Sequence, residues 1–130
     1  RQLGFDVYAS DPENIELRAD GVQILLEMDA SDFPVGLAPH YRLRQRIERA
    51  IERTGAAPRG LIVINGQRLT PPPERAQQAS AELLAAAETM RYGVVCATGL
   101  FDAVAARLAG DESAVAAYRL RLVGEVGLVG

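Results

Sequence analysis

Lysine is absent from these 130 residues: all fourteen basic residues are arginine. A guanidinium titrates too high to act as a base, so these cations can bind anions but cannot relay protons. Alanine, arginine and glycine are abundant, the usage expected of a GC-rich coding sequence. Tryptophan is also missing, and aromatics make up only 5%. His40 is the only histidine, which leaves no His-Cys zinc set and no ordinary Ser-His-Asp triad. It sits at an expected helix start, where an exposed or capping role suits it. Cys96 stands alone, so no intramolecular disulfide can form, and a reducing cytoplasm is the expected compartment. No run of eighteen apolar residues occurs, so no transmembrane helix and no membrane partner are expected. No apolar segment of signal-peptide type follows the opening residues. The net charge of −3 supplies no domain-wide basic field for nucleic acid, although a local basic face remains open. Neither a Gly-x-Gly-x-x-Gly nor a Walker-type loop is present.

The residues that are there describe a soluble α/β domain. Apolar residues make up 48% and charged residues 24%, and the length suits one core. Residues 1–130 are therefore expected to form a single domain, and the missing initiator Met suggests a piece of a larger protein. Gly4 to Ala9 and Asn14 to Ala19 alternate apolar and polar and predict two strands around a turn at Ser10 to Glu13. Asp20-Gly21 signals a hairpin into a third strand, Val22 to Met28, whose Ile24, Leu25 and Leu26 suit burial on both faces. Ser31 to Pro39 reads as a loop, with Pro39 placed for a first helical turn. From His40 to Thr54 the apolar residues Leu43, Ile47, Ala50 and Ile51 recur at helical spacing, and Gly55 ends the helix. Gly60 to Ile64 predicts a strand and Asn65-Gly66 a loop. After Pro71-Pro72-Pro73 a helix is expected from about Glu74 to Arg91, with Leu83, Leu84, Ala87 and Met90 inward. Gly93 to Ala97 predicts a buried strand carrying Cys96. Thr98 is the expected N-cap of a helix through Leu108 that Gly110 closes, and Asp111 or Ser113 opens a last helix to about Val123. This order predicts a mixed central sheet, an antiparallel hairpin region joined to a parallel βαβ unit, flanked by helices.

Glu27 and Asp29 are the residues most suggestive of chemistry. They alternate onto one face of an otherwise apolar strand. Two carboxylates there repel each other unless a cation or solvent accompanies them. Such oxygens are what a magnesium site needs, and a bound ion would activate water against a phosphodiester. The same pattern also arises where a strand simply emerges into solvent. Arg42, Arg46 and Arg49 on the following helix are candidates for phosphate contact. Glu48 and Glu52 interleave with the arginines, so a solvated face held in part by i,i+4 pairs is the stronger reading of this pattern.

Several segments, taken in order, resemble PD-(D/E)XK restriction-endonuclease-like domains. They are Leu3-Gly4-Phe5-Asp6-Val7, Pro12-Glu13-Asn14-Ile15-Glu16-Leu17, and Leu25-Leu26-Glu27-Met28-Asp29-Ala30-Ser31. Arg44-Gln45 resembles the helix start where many members place a glutamine near the site. Gly60 to Gly66 and Pro72-Pro73-Glu74-Arg75 are similar to the family's next strand and loop, and Gly93 to Phe101 to its closing strand and helix. The resemblance implies a restriction-endonuclease-like fold with magnesium held by an acidic residue on the second strand and a Glu-x-Lys pair on the third.

This chain departs from that pattern at two positions. Asn14 stands where the family has a metal-binding Asp, and Asp29 stands where it has Lys. Only Glu27 and Gln45 keep the family's residue types, while Glu16 offers a substitute ligand. The expected site is therefore a degenerate one: Glu27, Asp29 and Gln45 in catalytic positions, and Asn14, Glu27 and Asp29 as at most a weak Mg²⁺ set. The expected function is a catalytically impaired nuclease-like module that serves as a binding, dimerisation or regulatory domain in a larger, DNA-related protein. Its expected partners are other domains of that protein, with DNA and a second copy as further candidates. The alternatives are an active Mg²⁺-dependent DNA endonuclease with an atypical Asn/Glu/Asp site, and a protein–protein adaptor.

Overall fold

The computed structural model describes residues 3–9, 15–19 and 21–129. Strands β1 (Asp6–Ala9), β2 (Ile15–Ala19) and β3 (Val22–Ala30) are followed by helix α1 (Ala38–Thr54) and strand β4 (Arg59–Asn65). Helix α2 (Ala81–Met90), strand β5 (Gly93–Cys96), helices α3 (Ala97–Leu108) and α4 (Glu112–Gly124) and strand β6 (Gly127–Leu128) complete the order. The strands form one mixed sheet in sequential order. β1, β2 and β3 pair antiparallel, and β3, β4, β5 and β6 pair parallel. The expected fold class is therefore the observed one. The turn over 10–13, Asn14 and Asp20 lie outside the described residues. Gly21 of the hairpin signal takes a left-handed φ of 77°, which suits glycine.

Alternation along the strands divides the core in two. Leu25, Ile62, Ile64 and Val94 point to one face and are covered by α1 and α2, whose Leu43, Ile47, Leu83 and Ala87 are buried there. Ile24, Leu61 and Val95 point to the other face and pack with Val115, Tyr118 and Leu122 of α4 and the half-buried flank of α3. The central strands are apolar on both faces because helices cover both faces.

Several boundaries differ from expectation, each for a local reason. α1 begins at Ala38, and Pro39 sits in its first turn. His40 is neither exposed nor a cap: it is buried, with its Nδ1 2.7 Å from the Tyr92 hydroxyl. Ile51 lies beyond the edge of the buried stripe and is exposed. The helix expected from Glu74 starts only at Ala81, where the Ser80 side chain accepts a hydrogen bond from the Leu83 amide. Upstream, Pro72–Glu74 makes one 3-10 turn. The chain then runs extended because Val35 and Ala79 form a parallel bridge, with Val35 N–H donating to Gln78 and Ser80 N–H to Val35. Tertiary pairing here overrides an alanine-rich helical propensity. Met90 is exposed at the end of α2. Thr98 lies inside α3, one residue after its start. Asp111 is the N-cap of α4 as anticipated, accepting from the Ala114 amide at 3.1 Å. β6, only two residues long, carried no signal of its own.

Candidate functional site

β3 continues to Ala30, so Glu27 and Asp29 are both strand residues and both face α1. Glu27 is 7% exposed, in a row that begins with the core residue Leu25. A carboxylate so enclosed needs a cation, and α1 supplies two. Arg42 places Nε 3.8 Å from Glu27 Oε1 and Nη2 3.8 Å from Asp29 Oδ2. Arg46, one turn on, lies 4.0 Å from Glu27 Oε2. The i,i+4 spacing puts both guanidiniums on the flank of α1 that borders its buried stripe of Leu43 and Ile47.

These arginines also hold backbone. Arg46 donates to the carbonyl oxygens of Leu26 at 2.5 Å and Ile15 at 2.8 Å, tying α1 to β3 and β2. Arg42 donates to Met28 O at 3.2 Å. Asp29 accepts from the Ala30 amide at 2.9 Å. Among the described residues, two carboxylates and two guanidiniums thus gather at the carboxyl end of β3.

The remaining candidates fall as follows. Gln45 lies on the exposed surface of α1. Of the arginines considered for phosphates, Arg46 is turned inward, Arg42 is half-exposed against the carboxylates, and Arg49 is exposed. Glu16 accepts from Arg18 and Gln23, each at 2.8 Å. Burial raises its pKa, but the hydrogen bonds from Gln23 and Arg18 outweigh that and leave it below the usual carboxylate value. Asn14 belongs to the residues outside the description. Among the described residues, no group of three or more His, Cys, Asp or Glu side chains could hold a metal ion. Among the described residues, the guanidiniums of Arg42 and Arg46 lie within 4.0 Å of Glu27, and cations so placed make a poor donor set for magnesium.

A second feature sits at the same strand ends. An open hollow of about 450 Å³ is lined by Met28, Asp29, Ala30, Val63, Ile64, Asn65 and Ala97. Met28 and Val63 alternate to the α3 side, so the hollow lies largely across the sheet from Glu27. Its rim is built firmly. Arg75 donates to Asn65 Oδ1 at 2.7 Å and to Thr70 O at 2.8 Å, and Arg68 pairs with Asp32 at 2.6 Å. The loops after β3 and β4 exchange backbone bonds, Arg68 N–H to Ser31 O and Gln67 N–H to Phe33 O. Gly66 is demanded here, since a Cβ would overlap the Gln78 carbonyl.

The counterion role of Arg42 was not foreseen from the sequence. A signal existed: a carboxylate pair on an apolar strand requires cations, and the helix returning over that strand offers Arg42 and Arg46 one turn apart. The chain matches no protein-family model, no curated protein and no solved structure.

Proposed function

We propose that this domain is a nuclease-like module in which binding has replaced cleavage. One observation carries the reading: Arg42 stands between Glu27 and Asp29, 3.8 Å from each, and Arg46 completes the neutralisation of Glu27. A phosphodiester-cleaving site needs net positive charge presented to the phosphate, because electrostatic stabilisation of the developing charge is the dominant catalytic term. Among the described residues the guanidiniums here stand against carboxylates, and by the resemblance Asp29 falls at the position of the family's lysine. The sequential segments that resemble PD-(D/E)XK domains and the mixed sheet both support the nuclease-like part of the reading. The domain would act in a larger, DNA-related protein of the cytoplasm, with that protein's other domains and DNA as partners. Arg49 and the free side of Arg42 are the phosphate-facing groups.

The test is calorimetry with Mg²⁺ and Mn²⁺ alongside plasmid nicking. The wild-type protein is expected to nick no plasmid and to bind either ion at best weakly. Arg42→Ala frees Asp29 and one side of Glu27 and is expected to bind Mn²⁺ about tenfold tighter, a change of ~1.4 kcal/mol. The double change Asn14→Asp with Asp29→Lys restores a charged ligand and a cation and is expected to gain metal binding. Metal-dependent cleavage by the wild type that disappears in Glu27→Ala would overturn the reading in favour of an active endonuclease.

A further inference from the structure

The connections that leave β4 and β5 diverge. The chain after β4 turns to the face covered by α1 and α2, and the chain after β5 enters α3 on the other face. Where neighbouring connections part to opposite faces of a parallel sheet, a crevice opens outside the carboxyl ends of the strands, and open α/β sheets take their ligands there. The hollow of about 450 Å³ lies at that place: Val63, Ile64 and Asn65 end β4, and Ala97 opens α3 directly after β5. Its volume falls in the lower part of the ~300–1,000 Å³ range of small-molecule sites, room for one ring system with a polar tail.

Two kinds of surface meet in it. Met28, which is 53% exposed, and Val63 alternate to the α3 side and make an apolar floor. Asn65 stands beside them with its amide fixed from behind. Its Oδ1 accepts from Arg75 at 2.7 Å, which leaves the Nδ2 hydrogens as donors. Arg75 is a half-buried cation whose partners are all neutral: Asn65 Oδ1, Thr70 O at 2.8 Å and Arg68 O at 3.4 Å. Among the described residues no carboxylate pairs with it, since Asp32 stands with Arg68 and Asp29 with Arg42. A charge drawn partly out of water without a counterion is costly, and an incoming anion relieves that cost. The charge acts across the crevice: burial pushes the Cys96 thiol pKa up at the end of β5, and Arg75 opposes that rise. Gln78 spans the remaining gap to α3, with Nε2 3.5 Å from Thr98 Oγ1. Its Oε1 is shut off from solvent and has no partner among the described residues, an acceptor left for a donor.

We infer that this hollow binds a nucleoside monophosphate, the base lying on Met28 and Val63 and the phosphate accepting from Asn65 Nδ2 toward the charge of Arg75. The fit is of two kinds, an apolar floor for a ring and an unmatched cation for a phosphate. A free nucleotide and the phosphorylated end of a nucleic-acid strand offer the same chemistry. The floor lies across the sheet from Glu27, so the inference goes beyond the proposed function, and its failure leaves the metal and cleavage tests standing.

Calorimetric titration of the full chain with AMP, adenosine and inorganic phosphate, in the absence of divalent metal, is the test. AMP is expected to bind with a Kd on the order of 100 μM, and adenosine and phosphate each at least about tenfold more weakly. Arg75→Gln keeps a donor and removes the charge; it is expected to weaken AMP at least about tenfold and to leave adenosine unchanged. Ala30→Trp, at an exposed position of the lining, fills the hollow; it is expected to weaken AMP and adenosine alike and to keep the circular dichroism spectrum. A 5′-phosphorylated trinucleotide that binds more tightly than AMP supports the inference with a strand end as the source, and one that binds no more tightly supports it with the free nucleotide. A wild type that binds no AMP at about 1 mM overturns the inference. AMP binding that survives both substitutions overturns it by placing the site elsewhere. An Arg75→Gln variant that loses adenosine as much as AMP overturns the phosphate-facing role of that charge.

Discussion

The two faces of this sheet are built from the same strands and end up differently. Under α1 and α2 the packing is closed: Leu43, Ile62, Ile64 and Leu83 have no exposed surface, and even the charged residue Glu27 is enclosed with guanidinium partners. Under α3 and α4 the packing is partial. α4 seals Leu61 and Val95, while α3 buries no residue fully and leaves an apolar trough of about 290 Å³ between its Leu100 and Val104 and the strand residues Val7, Leu17, Leu26 and Val63. Parallel strands need a crossover connection, and its helices lie over the strands near the crossover: α3 and α4 join β5 to β6 and pack on β4 and β5. α1 spans β3 to β4 and α2 spans β4 to β5 in this way. The antiparallel β1 and β2 come with no crossover helix among the described residues.

Truncation of a core leucine on each face separates the two most strongly. Leu43→Ala, on the closed face, is expected to cost about 3–4 kcal/mol, since the site cannot collapse around the lost atoms. Leu100→Ala, on the trough wall, is expected to cost about 1 kcal/mol, because it already borders a void. Urea titrations of both variants measure the contrast, and equal losses would break it. Gly66→Ala comes next: its Cβ meets the Gln78 backbone, and a loss of about 1–3 kcal/mol is expected where the same change at the open Gly36 costs little.

The titratable residues sharpen the comparison further. Burial, with a smaller contribution from Arg44, depresses the His40 pKa below its usual 6.5 on the closed face. The unfolded chain then takes up a proton before the folded one, so stability should fall as pH drops below about 6.5 and through the folded pKa. Substitution of His40 by Gln should remove that acid sensitivity in thermal melts across pH 5 to 7. Tyr92 on the closed face and Tyr118 beside α3 are both pushed up to about 12 by burial. Their stabilisation is present below pH 10 and is lost as pH rises beyond it, when the unfolded phenols ionise first. Alkaline melts of Tyr92→Phe and Tyr118→Phe should each show a reduced loss. The smallest expected effect lies outside either core. The exposed Arg44–Glu48 pair, 3.6 Å apart, should show a coupling of about 0.3–0.5 kcal/mol in a double-mutant cycle.

Much of this architecture is legible in the residues themselves. Alternation in Ile15 to Ala19, the apolar runs in β3, β4 and β5, and the 3.6-residue stripe of Leu43, Ile47 and Ala50 set strand and helix types, because side-chain periodicity is a local property of the backbone. Gly55 and Asp111 mark helix ends for the same reason, each through a bond to atoms a few residues away. The alternation of Glu27 and Asp29 likewise placed them on one face of β3. What the sequence could not decide depended on atoms distant along the chain. The delayed start of α2 follows from the Val35–Ala79 bridge, and the burial of His40 from the hydroxyl of Tyr92, fifty-two residues on. The partnership of Arg42 and Arg46 with the carboxylates needed the register of α1 over β3. The trough needed the lateral position of α3. Periodicity tells which side of an element is apolar; only the tertiary structure decides what that side meets, because the meeting is set by how the whole chain returns on itself.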